Sequence, residues 1–164
     1  MPDARTLAHD QAVAGIMRRE GCRLEAYADP VKGWAVPTIG YGSTGPGIVR
    51  GTVWTEEQAR ADLEHRLAPI LDWAFALRQP PLPPGCVAAL ASLAWNVGVE
   101  HLETGGPHGD ESHLVKLVRA GQLAQAADAF LVWDHVGGEV VPGLLTRRHE
   151  ERAEFLAGLK AVAA

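Results

Sequence analysis

The sequence predicts an α+β fold, mainly α, with a small β-hairpin lobe and a larger helical lobe. Three observations lead there. Apolar residues recur at three- and four-residue steps over residues 6–19, the period of an amphipathic helix. From Arg23 to Tyr41 the pattern changes to alternation around an Asp29-Pro30 turn, which is how a hairpin reads. From Thr55 onward helical stripes return, punctuated by glycine and proline.

In residues 6–19 the inward stripe runs through His9, Val13 and Ile16 or Met17, and it continues to Glu20. Gly21 ends the helix. A carboxyl held there, facing a crevice between helix and sheet, would be partly desolvated. Desolvation raises its pKa and keeps it protonated as a general acid near neutral pH. In the first strand Leu24, Ala26 and Ala28 take one face, and Glu25, Tyr27 and Asp29 the other. The turn closes through Lys32-Gly33 and residues 34–41 return as the second strand. Pro37 has no N–H for the ladder, so this strand is expected at an edge or bulged there. Taken singly, a helix-end Glu20, a turn Asp29 and a strand Thr38 would be ordinary residues. Their grouping around one hairpin, at two intervals of nine residues, suits acid chemistry on a bound chain.

Residues 42–51 form a glycine-rich connector. Thr55 and Gln58 make a capping box for a helix with Ala59, Leu63 and Leu67 as its buried stripe, and Glu56, Arg60, Asp62, Glu64 and Arg66 on the wet side. Pro69 should bend or end it. Residues 86–97 are apolar on nearly every face, which predicts a buried helix ended by Gly98. His101, His108, Asp110, Glu111 and His113 gather in residues 99–113 without any zinc spacing, so a polar loop holding no metal is expected. Residues 112–120 and 122–132 read as two short helices separated by Gly121. Asp134 and His135 invite a hydrolase triad with an upstream serine, but the chain has no G-x-S-x-G string. The last helix, residues 144–162, carries Arg147, Arg148 and Arg152 among Glu150, Glu151 and Glu154, which predicts a mostly solvated, ion-paired face.

With 164 residues, 47% hydrophobic and 21% charged, the composition is that of about one ordinary globular domain. That weighs against disorder. The formal net charge of −5 supplies no basic footprint, so no nucleic-acid partner is expected and binding must rest on local contacts. No apolar run approaches the roughly 20 residues that cross a bilayer, so no stable membrane insertion is expected. Residues 1–15 hold Asp3, His9 and Asp10 where a signal peptide has its apolar centre, which predicts a cytoplasmic chain that something else must release. Cys22 and Cys86 are expected to be reduced thiols, with a disulfide as the alternative.

The string EG-x-x-L-x-A-Y-x-D, followed by a short glycine-containing turn and T-I-G-Y-G, resembles the active-site signature of the phage-type lysozymes, glycoside hydrolase family 24. The stretch STGPGIVRGTVWTEEQA resembles the endolysin branch, and ALASLAWNVG and GGEVVPGLLTRRHEER are similar to its helical lobe. The resemblance covers nearly the whole chain. It implies one lysozyme-like catalytic domain over residues 1–164, with a hairpin lobe at about 21–54, a helical lobe at about 55–164, the N-terminal helix packed on the latter, and a cleft between the lobes. Glu20, Asp29 and Thr38 are then the catalytic trio. Gly42, Trp95, Asn96 and His113 are the substrate-binding positions. For Trp95 and Asn96, core packing and a helix cap stay open beside a place at the sugar. The chain departs from the family turn by about three extra residues between Asp29 and Thr38. At about 3.3 Å per residue these must form a longer loop if the two side chains are to meet, and Ser43 or Thr44 could stand in for Thr38.

The function so implied is that of an endolysin, a muramidase cutting the β-1,4 bond between N-acetylmuramic acid and N-acetylglucosamine in peptidoglycan. Glu20 would act as general acid, with inversion as the expected outcome. No cofactor is called for. The expected partner is the glycan strand, the expected state a monomer, and the expected release route a holin-type pore. A non-catalytic glycan-binding module of a phage particle is the alternative, and a zinc amidase using the histidine-rich loop is a second rival.

Overall fold

The computed structural model describes residues 1–104 and 112–163. Seven α-helices, one 3-10 helix and two small hairpins make up the described chain. It divides into two compact units, Met1–Ala12 with Pro69–Ala164, and Val13–Ala68. Both divisions fall inside helices, α1 (Ala4–Glu20) and α2 (Glu56–Ala76).

In the smaller unit, α1 delivers Val13 and Ile16 to the core and ends at Glu20. Gly21 follows at φ 65°, the left-handed conformation that stops a helix at little cost only in glycine. Strands β1 (Arg23–Asp29) and β2 (Gly33–Gly40) pair antiparallel, with Arg23 opposite Gly40, Tyr27 opposite Thr38, Ala28 opposite Pro37 and Asp29 opposite Gly33. The second irregularity lies next to Pro37, where the missing N–H predicts one. It takes up Trp34, Ala35 and Val36, which have no rung of their own.

The connector is more ordered than its glycine content suggests. Ile39 and Ser43 exchange both backbone hydrogen bonds, and residues 52–54 run beside β1, with Ala26 N–H on the Thr52 carbonyl at 2.9 Å and Trp54 N–H on the Leu24 carbonyl at 2.8 Å. The predicted capping box is formed in both directions: Thr55 N–H donates to Gln58 Oε1 at 2.8 Å, and Gln58 N–H to Thr55 Oγ1 at 3.2 Å. Ala59, Leu63 and Leu67 are fully buried, as the stripe predicts. Pro69 does not end α2, which runs on to Ala76. Leu67, Leu71, Ala74 and Phe75 are buried on either side of it. Their burial outweighs the one helical hydrogen bond that a proline removes.

In the larger unit, α3 (Pro84–Val97) is buried at every position from Cys86 to Ala94. It lies along α7 (Pro142–Ala163), with the closest approach at two glycines, Gly85 and Gly158. The first half of α1 is tied to the end of α2 by Arg5, whose Nη1 reaches Asp72 at 2.6 Å and whose guanidinium covers Phe75 at 4.8 Å. Val99–Thr104, expected as loop, is a helix, α4. Its reason is Leu102, fully buried amid polar neighbours. Ser112 caps α5 (His113–Arg119) through Val115 N–H at 3.3 Å. The helix predicted for residues 122–132 is split into α6 (Leu123–Asp128) and a 3-10 turn (Ala129–Val132), which sets Phe130 against Phe155 with ring centres 5.4 Å apart. A two-residue hairpin, β3 (His135–Val136) and β4 (Glu139–Val140), turns at Gly137 and Gly138.

One reading of the sequence is overturned here. Arg148 and Glu151, taken as part of a solvated face, are 0% exposed. Glu151 Oε1 accepts from Ser92 Oγ at 2.7 Å and Arg147 Nε at 3.0 Å, while Arg148 Nε stands 2.9 Å from Oε2. Arg147 Nη2 also donates to the Ser92 carbonyl at 3.1 Å. The charges are buried because Ser92 and Asn96, one turn apart, are the polar groups that α3 presents to them. A buried charge is tolerated only with such partners.

Candidate active site

The three residues singled out at the hairpin all belong to the Val13–Ala68 unit. Glu20 is the last residue of α1 and is exposed. The expected desolvation is therefore absent, because the buried stripe of the helix stops one turn earlier, at Ile16. Asp29 is half-buried at the end of β1. Its Oδ1 accepts from Val31 N–H at 2.9 Å and Lys32 N–H at 2.8 Å, a local turn that aspartate makes with its own backbone. These donors, Lys32 first, with the Lys32 charge behind them, hold the carboxyl below its ordinary pKa. Both turn bonds go to Oδ1, so Oδ2 is the oxygen left for another ligand.

Thr38 is 6% exposed. The longer turn does not carry it away from Asp29. Because Trp34 to Val36 are taken up in the irregularity, Thr38 pairs with Tyr27, two residues from Asp29 and on the same face of β1. Its hydroxyl donates to the Val36 carbonyl at 3.2 Å, which leaves the oxygen lone pairs as acceptors.

The glycines of T-I-G-Y-G have separate causes. Gly40 sits at φ 62°, and a Cβ there would stand 3.0 Å from Trp54 Cζ3. Gly42, at φ 87°, is exposed with open space around it, so the backbone alone requires glycine. Of the two stand-ins for Thr38, Thr44 is exposed, and Ser43 is buried and otherwise engaged. Ser43 Oγ donates to Asp62 Oδ2 and accepts from Arg66 Nη2 at 2.7 Å; Arg66 Nε donates to the same carboxylate at 2.9 Å. Asp62 and Arg66, on the wet side of the helix by sequence, are part-buried and form this cluster. Their four-residue spacing was the available signal.

The family profile of the phage lysozymes matches residues 17–151. The chain belongs to the phage lysozyme family. It is 35% identical over 144 residues to the endolysin of Bacillus phage B103, an alignment that takes in 85% of this chain and 50% of that relative. The chain thus spans half the length of that relative. Among solved structures, a mutant of P22 lysozyme superposes with a TM-score of 0.73 at 34% identity, covering 88% of this chain and 94% of that one. The active form of the P1 phage endolysin Lyz gives a TM-score of 0.76 at 26% identity, covering 91% and 84%. The mainly helical architecture with its small hairpin is the lysozyme-like fold of these proteins.

In this lysozyme fold the other predicted positions belong to the larger unit. Trp95 is half-buried near the end of α3. Asn96 does not cap the helix; the cap is the Gly98 N–H on the Ala94 carbonyl. Its Oδ1 instead accepts from Arg148 Nη2 at 3.1 Å. His113 is exposed at the start of α5, and His101 is exposed in α4. His108, Asp110 and Glu111 lie outside the described residues. No group of three or more histidine, cysteine or acidic side chains that could hold a metal occurs among the described residues. The hydrolase-triad reading fails on its nucleophile. Asp134 and His135 pair with each other, but Ser43 and Ser92 are committed to Asp62 and Glu151, and Ser112 caps α5. Both cysteines are free thiols, Cys22 exposed and Cys86 buried. Burial pushes Cys86 up to about 12. No helix of the described residues is long and apolar enough to cross a membrane.

Proposed function

We propose that this phage lysozyme is an endolysin of glycoside hydrolase family 24 that cuts the β-1,4 bond between N-acetylmuramic acid and N-acetylglucosamine in peptidoglycan. The observation that carries the reading is the register of the hairpin. Thr38 pairs with Tyr27, two residues along β1 from Asp29, and the hairpin follows the helix that ends in Glu20.

Glu20 is the general acid, delivering its proton to the leaving glycosidic oxygen. Asp29 stays ionised, because its turn N–H groups favour the carboxylate. Oδ2 faces the positive charge that develops at the anomeric carbon or orients the attacking water. Thr38, whose hydroxyl proton is used on Val36, accepts a hydrogen bond from that water and turns its lone pair toward carbon. Inversion is the outcome of such a water-mediated displacement.

Gly42, Trp95, Asn96 and His113 contribute to glycan binding in this reading. The enzyme works as a monomer without cofactor. It is made in the cytoplasm, reaches the cell wall through a holin-type pore, and acts there.

The test is turbidity loss of purified peptidoglycan, coupled to detection of new reducing ends, for wild type, Glu20→Gln and Asp29→Asn. Loss of the general acid should lower the rate by about 10²–10⁴-fold. Clearing without reducing ends would mean that the bond cut is an amide or that the product is an anhydro-sugar. Either result would end the proposed mechanism.

A further inference from the structure

The turn that holds Asp29 leads directly into an open aromatic surface. Gly33 is the residue paired with Asp29, so Trp34 is the next residue after that rung. Trp34 is 39% exposed, and Val49 and Val53, which flank Arg50 in the sequence, are exposed in the same unit. The Arg50 guanidinium carbon stands 4.4 Å from the ring centroid of Trp34. A cation over the ring restrains it, and 39% of the residue stays open to solvent. Among the described residues Arg50 has this indole as its partner and no carboxylate. That is notable in a chain with 20 acidic side chains against 15 Lys and Arg.

We infer that Trp34 and Arg50 form a specificity subsite for the glycan strand, the indole stacking on an N-acetyl sugar ring and the guanidinium binding the carboxylate borne by a muramic acid unit. The inference rests on the muramidase reading and names what its substrate must carry. An indole offers a large rigid face to the C–H side of a sugar ring. A guanidinium matches a carboxylate with two parallel donors, which a neutral sugar cannot use. Trp34 follows the rung of Asp29 directly, and this continuity is the ground for assigning the subsite to the strand being cut. A strand of N-acetylglucosamine alone would satisfy the indole and leave the arginine without its anion.

The experiment measures binding, with catalysis removed. In a Glu20→Gln background, co-sedimentation with insoluble peptidoglycan and with chitin is compared for Trp34, Trp34→Ala, Trp34→Phe and Arg50→Gln. Trp34→Ala should weaken both by about tenfold, and Trp34→Phe should keep most of the affinity. Arg50→Gln should weaken peptidoglycan binding by about fivefold and leave chitin unchanged. Stripping the stem peptides frees the lactyl carboxylate, which intact strands hold as an amide to the peptide: a loss seen only on stripped strands assigns the anion to the lactyl group, and a loss confined to intact strands assigns it to the peptide. Unchanged binding in Trp34→Ala, or an equal loss on both polymers in Arg50→Gln, overturns the subsite. Full activity of the Glu20→Gln background would instead defeat the muramidase reading, so the two failures are told apart.

Discussion

Replacing Gly158 by alanine should destabilise this protein, against the usual direction of such a change in a helix. Alanine is better than glycine in a helix interior by about 1 kcal/mol. At Gly158, however, a Cβ would stand 2.6 Å from Cys86 N, 2.9 Å from the Gly85 carbonyl carbon and 3.0 Å from Cys86 Sγ. Two of those atoms are backbone and cannot rotate aside, so α3 and α7 must separate. Overpacking of this kind costs about 1–3 kcal/mol, sometimes more. With rigid neighbours the upper part of that range applies, leaving a net loss of about 1–2 kcal/mol after the helix gain. For a chain of this size that lowers Tm by about 2–8 °C. Gly143→Ala is the control, on the same helix with nothing within 4 Å of its added Cβ, and it should leave Tm unchanged or raise it slightly. Differential scanning calorimetry of the two variants decides the matter. A Gly158→Ala protein as stable as Gly143→Ala would refute the close approach of the two helices. The reciprocal change Gly85→Ala, whose Cβ would meet Gly158 Cα at 3.0 Å, should lose stability as well. The double variant should fall short of the sum, because one separation of the helices relieves both clashes.

Three further outcomes follow from other parts of the molecule. Asp29 is held below its ordinary pKa of 3.8, so its contribution is complete above that value and is lost as pH falls through the lower folded pKa; Tm measured from pH 5 downward should therefore fall more steeply in wild type than in Asp29→Asn, and parallel curves would contradict the turn. Glu151→Gln should cost about 3–5 kcal/mol, the loss expected when one partner of a buried ion pair is neutralised, since Glu151 and Arg148 are both 0% exposed; urea denaturation showing less than about 1 kcal/mol would mean that water reaches the pair. Titration with a thiol reagent at pH 8 should count one reactive cysteine in the folded protein and two in urea, because Cys22 is exposed while Cys86 is buried, with its thiol at about 12 and donating to the Phe155 carbonyl at 3.2 Å; two fast thiols in the native state would disprove that burial.

What could be read from the sequence was whatever depends on neighbours along the chain. The helical stripe of Ala59, Leu63 and Leu67, the capping box at Thr55 and the stop at Gly21 each need only a few adjacent residues, and each is found as read. The hairpin itself belongs to this class too, since its register is set by its turn and its alternation. The failures concern contacts between distant segments. Glu20 was assigned to the dry side by extending a periodic stripe, but a stripe carries no information about where its cover ends, and the residue is exposed. Glu151 reads as part of a mostly solvated face because charged residues on a helix face usually are; here α3 supplies Ser92 and Asn96 to the pair, and Glu151 and Arg148 are buried. Ser43, Asp62 and Arg66 repeat the lesson in the smaller unit. Each cluster fixes a segment next to a proposed substrate contact, Ser43 beside Gly42 and Asn96 beside Trp95. A polar group that looks idle in sequence is thus a sign that another segment must be brought to it, and in a lysozyme whose proposed acids lie on turns and helix ends, such anchors are what can hold the site in register.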